Sequence, residues 1–165
     1  MLENLDEEML ETEDTQHGRY LTFALGMEIF GIEIRFVTEI VGMQPITSLP
    51  EAPDYMKGII NLRGKIIPVI DIRLKFKKEP KDYDDRTCII VIDILEVTVG
   101  LIVDNVAEVL MIADENISPP PDKKAGLQNR YLAGIGKVGN DVKLLLSCEK
   151  LFQDEELEMI RESGN

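Results

Sequence analysis

The chain contains one short pattern twice, and this repetition limits the folds open to it more than any other feature. Gly31-Ile-Glu-Ile-Arg-Phe-Val37-Thr-Glu39-Ile-Val41 returns 69 residues later as Gly100-Leu-Ile-Val-Asp-Asn-Val106-Ala-Glu108-Val-Leu110. Tyr55-Met-Lys-Gly58-Ile59 returns 76 residues later as Tyr131-Leu-Ala-Gly134-Ile135. This second register runs without a gap to Phe76 and Phe152. Chance supplies recurring aliphatics more easily than it supplies Gly, Val and Glu in one block and Tyr, Gly, Ile and a closing Phe in the next. Two copies of one supersecondary unit imply two similar subdomains with a junction between them. A copy of about 65 residues is too small to bury a comfortable core alone, so the two are expected to share apolar surface.

Hydrophobic periodicity fills in the unit. Tyr20–Leu25 alternates with period two, Gly26 punctuates it, and Glu28–Ile34 follows, a hairpin pattern. Phe36, Val37, Ile40 and Val41 suit a short helical turn or a third strand equally well. Pro45, Pro50 and Pro53 mark a loop. Residues 57–62 and 65–72 are strand-length aliphatic runs on either side of Arg63-Gly64, and residues 71–76 suit a closing helical turn. The polar stretch 77–86 is a connector. The second copy repeats the scheme with strands over 87–95 and 97–103, the block 106–112, a Pro-rich loop from Ser118 to Gln128, and a hairpin across Gly139-Asn140. Glu149 to Glu162 suits an amphipathic helix through Leu151, Phe152, Leu157 and Ile160. Short strands with closely spaced turns predict small barrels or a sandwich.

Charge narrows the function. The net charge is −13, but residues 1–18 carry seven acids and no Lys or Arg, and residues 149–165 carry six acids against Lys150 and Arg161. The body between is nearly neutral and has no basic stripe, which excludes nucleic acid as a natural partner. The acidic N-terminus reads as a disordered, solvating tail. No apolar run approaches membrane-spanning length and no signal sequence is visible, so a cytoplasmic protein without direct membrane insertion is expected. Cys88 and Cys148 lie in aliphatic runs and read as buried free thiols.

Little here supports catalysis. The single histidine, His17, falls in the acidic tail without fixed neighbours. Gly58 to Gly64-Lys65 departs from a phosphate loop in spacing, and Ile66 stands where a magnesium ligand is needed. Asp71, Asp93 and Asp104 fall near strand ends, where turn hydrogen bonds explain them better than acid–base or metal chemistry. A small hydrolase built on Asp71 and Asp104 is a rival reading, as is a generic SH3-like peptide binder, which usually needs clustered aromatics. No catalytic, cofactor or metal residues are expected.

The copies disagree most usefully at the central hairpin. Copy two has Gly139-Asn140, suited to a tight turn, and copy one places Arg63 where Gly139 stands. Two-residue hairpin turns want positive φ there, which costs a residue with a Cβ. Either the Arg63 side chain has a task, or the loop is longer and Arg63 is unstrained.

At this hairpin the chain also resembles a known family. Gly58-Ile-Ile-Asn61-Leu62-Arg63-Gly64-Lys-Ile-Ile-Pro68-Val-Ile-Asp71-Ile-Arg73 is similar to the signature of the CheW family of bacterial chemotaxis coupling proteins. Tyr20-Leu-Thr-Phe, Phe30-Gly-Ile-Glu-Ile, Val37-Thr-Glu39-Ile, Leu49-Pro50, Val99-Gly-Leu-Ile-Val-Asp104-Asn-Val106 and Tyr131-Leu-Ala-Gly134 fit the same pattern. The resemblance runs from about residue 19 to 155 and leaves the acidic tail 1–18 outside. It implies a mainly β fold of two five-stranded SH3-like barrels with short helical turns, the copies covering about 19–78 and 86–152 with exchange of terminal segments allowed, and a C-terminal helix and tail over 149–165.

It further implies a non-catalytic adaptor that couples the cytoplasmic tips of transmembrane chemoreceptors to the histidine kinase CheA, recruited to receptor arrays at the inner membrane. The regulatory domain of that kinase shares the fold, and an isolated domain of this sort is the nearest rival. Carried over position by position, Arg63, Val37 and Glu39 are implied in partner contact, and Val103, Val106 and Val109 are implied to line an apolar groove.

Overall fold

The computed structural model describes residues 16–120 and 128–152. Most of the acidic tail and the segment after Phe152 lie outside them. In chain order the strands are β1 (Arg19–Leu25), β2 (Glu28–Glu33), β3 (Val37–Gly42), β4 (Met56–Leu62), β5 (Lys65–Asp71), β6 (Cys88–Ile94), β7 (Val97–Val103), β8 (Asn105–Met111), β9 (Ile117–Ser118), β10 (Leu132–Val138) and β11 (Asp141–Leu146). One-turn helices α1 (Ile72–Lys75) and α2 (Cys148–Leu151) close the two units. The ambiguous segment resolves into both options at once, a 3₁₀ turn over Ile34–Phe36 followed by a strand.

The repeat is structural. With the 76-residue offset, β4, β5 and α1 fall on β10, β11 and α2. The ladder β4–β5 slips between Met56 and Gly58, and β10–β11 slips at the matching place between Leu132 and Gly134. Asp71 caps α1 by accepting from the Leu74 amide, and Ser147 caps α2 by accepting from the Lys150 amide, each satisfying an orphan N–H of its short helix. The repeated glycines are explained by parallel pairings that bring Val69 against Gly100 and Leu145 against Gly31. A Cβ on Gly100 would lie 2.9 Å from Val69 Cγ1, and one on Gly31 would lie 3.1 Å from Leu145 Cδ2.

Two sheets result, one of five strands in the order β3-β6-β7-β5-β4 and one of six in the order β8-β1-β2-β11-β10-β9. The sixth is the two-residue β9; its counterpart in the other sheet is a lone bridge between Thr47 and Ile59. Each sheet mixes the copies: the hairpin β1–β2 joins strands of the second copy, and β6–β7 joins strands of the first. This crossing makes the shared core. β6 is apolar on both faces, because Ile90, Ile92 and Ile94 enter a large cluster spanning both sheets while Ile89 and Val91 enter a smaller one with Ile60, Leu62, Ile67, Val69 and Ile102. Phe23, Phe30, Phe76 and Tyr131 form a ring chain through the large cluster, with neighbouring centroids 5.5–5.9 Å apart. Burying each such ring contributes about 2–3 kcal/mol, so this chain does much to hold the sheets together.

Candidate functional site

Arg63 and Gly64 form the two-residue turn between β4 and β5, with φ of +52° and +88°. Gly139, at the equivalent position of copy two, has φ of +62°, so Arg63 does occupy a backbone conformation that favours glycine. Asn61 Oδ1 accepts from the Gly64 amide at 2.8 Å and fixes the turn from within. The Arg63 side chain is 69% exposed, and its Nη2 donates to Glu39 Oε1 on β3. β3 and β4 are the two outer strands of the five-stranded sheet, so this ion pair bridges the sheet's open sides. Thr38 Oγ1 donates to the Val91 carbonyl at 3.1 Å across a register slip between Val37 and Glu39, which sets the local twist of β3.

Two of the residues singled out in the sequence therefore touch, although 24 positions separate them. Val37 is half-buried against the large core cluster, and Val106, its repeat equivalent, is half-buried likewise on β8. Val109 is 51% exposed, as is its equivalent on β3, Ile40, at 43%. Met111 adds a third exposed apolar side chain to these edges at 62%. Val103 is different. At 2% exposure it lies inside the large cluster, at the end of β7, and offers no surface of its own in the free protein.

The aspartates serve the fold. Asp71 is buried, caps α1 and accepts from the Tyr83 hydroxyl at 2.8 Å; burial, then this bond to Asp71, push the Tyr83 phenol well above its ordinary range. Asp104 receives Arg73 Nε and Nη2 at 2.7 Å each and the Gly26 amide at 2.7 Å. Burial opposes its ionised form, but Arg73 and the Gly26 N–H outweigh it and hold the carboxyl below its ordinary value. The cavity bordered by Asp71 and Asp104 measures about 10 Å³, at the limit for one water and too small for a substrate. Asp93 accepts from Thr98 Oγ1 at 2.6 Å. His17 pairs with Asp114 at 3.3 Å on the surface. Cys148 is buried and Cys88 half-buried, both as free thiols. Among the described residues no group of three or more His, Cys, Asp and Glu is placed to hold a metal. No described helix is long and apolar enough to cross a membrane.

The sequence reading missed Lys75. It stands at the position of Leu151 in the repeat, is 4% exposed, and its Nζ lies 4.4 Å from the ring centre of Tyr55, 5.3 Å from that of Tyr131 and 5.9 Å from that of Phe152. A lysine at an otherwise apolar repeat position was the available signal.

Two crossed β sheets built from an internal repeat, with an arginine-tipped hairpin, describe a small β scaffold. Residues 19–156 match the CheW-like domain. The chain is 39% identical over 147 residues to the Chemotaxis protein CheW of Klebsiella aerogenes, covering 89% of each chain. It is 36% identical over 138 residues to the Probable chemotaxis protein CheW of Rhizobium etli, covering 84% of this chain and 89% of that one. The crystal structure of the scaffolding protein TtCheW from Thermoanaerobacter tengcongensis superposes with a TM-score of 0.77 at 36% identity, covering 84% of this chain and 94% of that one. The chain belongs to the CheW family, and it is a non-catalytic chemotaxis coupling protein.

Proposed function

We propose that the chain couples the cytoplasmic tips of chemoreceptors to the regulatory domain of the histidine kinase CheA, at receptor arrays on the inner membrane, with Arg63, Glu39 and Val37 forming one contact region and Val106 and Val109 another. The observation that carries this reading is Arg63 itself. A guanidinium 69% exposed, on a backbone that prefers glycine, and steered by Glu39, is preorganised to meet a partner. A planar, always-charged donor fork of this kind suits a hydrogen-bonding anchor at an interface. On β8, the half-buried Val106 and exposed Val109 offer aliphatic surface on an outer strand, a suitable rest for the apolar face of a receptor helix. Val103 is buried in the large cluster against which Val106 packs, and contributes to any groove only through that cluster.

Two contact regions on outer strands of different sheets let the protein hold receptor and kinase at once. Co-sedimentation with receptor-bearing membranes tests this, with kinase and coupling protein each omitted in turn. Kinase should pellet only when both receptor and this chain are present. Kinase pelleting equally well without this chain would defeat the proposal.

A further inference from the structure

Strained backbone is not spread evenly over the molecule. Five non-glycine residues among those described have positive φ, and three of them, Arg63, Leu95 and Glu96, fall at one end of the five-stranded sheet. Leu95 and Glu96 form the two-residue turn between β6 and β7, with φ of +49° and +67°. Asn-Gly is the favoured sequence for such a doubly left-handed turn. The parallel ladder of β5 and β7 sets Val69 against Gly100, so counting back along both strands brings the Arg63-Gly64 turn beside the Leu95-Glu96 turn. Next to the tips, Lys65 Nζ donates to Thr98 Oγ1 at 3.0 Å and Thr98 Oγ1 donates to Asp93 Oδ1 at 2.6 Å, which ties β5, β7 and β6 together at the base of both turns.

The repeat supplies a control. With the 69-residue offset, Leu95 stands where copy one has Gly26, at φ of +62°, just as Arg63 stands where copy two has Gly139. β2 and β11 run parallel with Phe30 against Leu144, so Gly26 and Gly139 lie at the corresponding end of the six-stranded sheet. One sheet thus has glycine at both positions and the other has Arg and Leu, because the crossed hairpins bring the two exceptions together. Folding asks the same of both ends, and glycine satisfies it. A leucine in a left-handed turn lowers stability, and burial does not compensate, since Leu95 is 54% exposed. We propose that Leu95 is a partner anchor that acts with Arg63, the aliphatic half of a contact whose charged half is the guanidinium. The partner surface it fits offers an aliphatic recess beside a carboxylate. This rests on the coupling role given to Arg63 above.

Leu95→Asn in the full chain, set beside Arg63→Ala, tests it. Asparagine adopts the left-handed conformation more readily than leucine, so Tm should hold or rise. Affinity should fall about tenfold for the partner that Arg63→Ala weakens, and stay at the wild-type value for the other. Leu95→Met keeps an apolar side chain and should bind within about twofold of wild type. Titrations against the kinase and against receptor-bearing membranes read both partners. Wild-type binding of both by Leu95→Asn, with Arg63→Ala impaired, would overturn the proposal and leave the coupling reading in place. Wild-type binding by Leu95→Asn and Arg63→Ala alike would remove the Arg63 contact region itself, and the proposal with it. Loss of a partner that Arg63→Ala leaves untouched would also overturn it, by separating Leu95 from Arg63. A fall in Tm with Leu95→Asn would make the leucine structural and overturn it as well.

Discussion

Replacing Arg63 with glycine makes the hairpin of copy one imitate that of copy two, and separates the cost of the residue from its use. Arg63 has φ of +52°, and a left-handed conformation costs an L-residue about 1–2 kcal/mol. Glycine removes that strain but returns about 0.4–1 kcal/mol through the greater freedom of the unfolded chain. The lost pair with Glu39 is worth about 0–1 kcal/mol, toward the low end because the Arg63 side chain is 69% exposed. The net effect runs from neutral to a gain of about 1 kcal/mol, or up to about 2–4 °C in Tm for a chain of this size. Arg63→Ala loses the pair without relieving the turn and should lower stability by about 1 kcal/mol or less. Binding should move the other way. Loss of a charged anchor costs about 2 kcal/mol, a factor of roughly 30 in affinity. Calorimetric melting and titration of both variants against kinase and receptor give the two quantities side by side. Unchanged affinity for both partners, or a stability loss in Arg63→Gly well beyond 1 kcal/mol, would refute the reasoning. The first outcome would leave Arg63 a solvated turn residue, and the second would make it structural.

Other perturbations probe the same framework. Glu39→Gln should weaken the same partner as Arg63→Ala, and the double variant should be less impaired than the sum, since one group orients the other; full additivity in the cycle would mean they act separately. Asp104→Asn leaves Arg73 in a largely buried site and should destabilise by about 3 kcal/mol in urea unfolding. Because the folded carboxyl of Asp104 titrates below its unfolded value, its contribution is present above the unfolded pKa and lost as pH falls through the folded one. Acid denaturation as pH falls below the ordinary Asp value of about 4 should therefore be less steep in Asp104→Asn. Gly58→Ala should be among the most damaging single substitutions, because a Cβ there would sit 2.0 Å from the Thr47 carbonyl oxygen at φ of +144°; a folded variant with wild-type Tm would show that the loop 43–55 can move aside. Burial, then the charge of Glu33, push the Cys148 thiol up to about 12, so a thiol reagent at pH 8 should modify Cys88 first and Cys148 only on unfolding.

Local features were the legible ones. The offset of 76 aligned β4, β5 and α1 with β10, β11 and α2 because turn residues, helix caps and strand lengths are set within a few residues of one another. Positive φ at Arg63 followed from comparison with Gly139, a contrast available only because the unit occurs twice. Pairing between sheets was less accessible. That β1–β2 would join β8 and β11 depends on contacts more than 80 residues apart, and each hairpin's alternation would satisfy either sheet. The candidate site was legible as residue types, mainly through family resemblance, but burial divided it: Val109 is open while Val103 is sealed, although only six positions separate the two valines. Lys75 was overlooked although its repeat equivalent is Leu151, because a lysine in a polar-looking turn reads as solvated unless the two copies are compared position by position, and only the fold brings three aromatic rings around it.

The crosswise placement of the hairpins has a consequence for how such a chain could have arisen. A polypeptide carrying one copy alone would have a hairpin with no second sheet to receive it, and a sheet lacking its middle strands. Two such polypeptides could complete each other by trading hairpins, forming a dimer by domain swapping. Joining the two in tandem makes that trade intramolecular and fixes the stoichiometry at one of each. It also frees the halves to diverge, so that one can keep glycine at its hairpin tip while the other acquires an arginine.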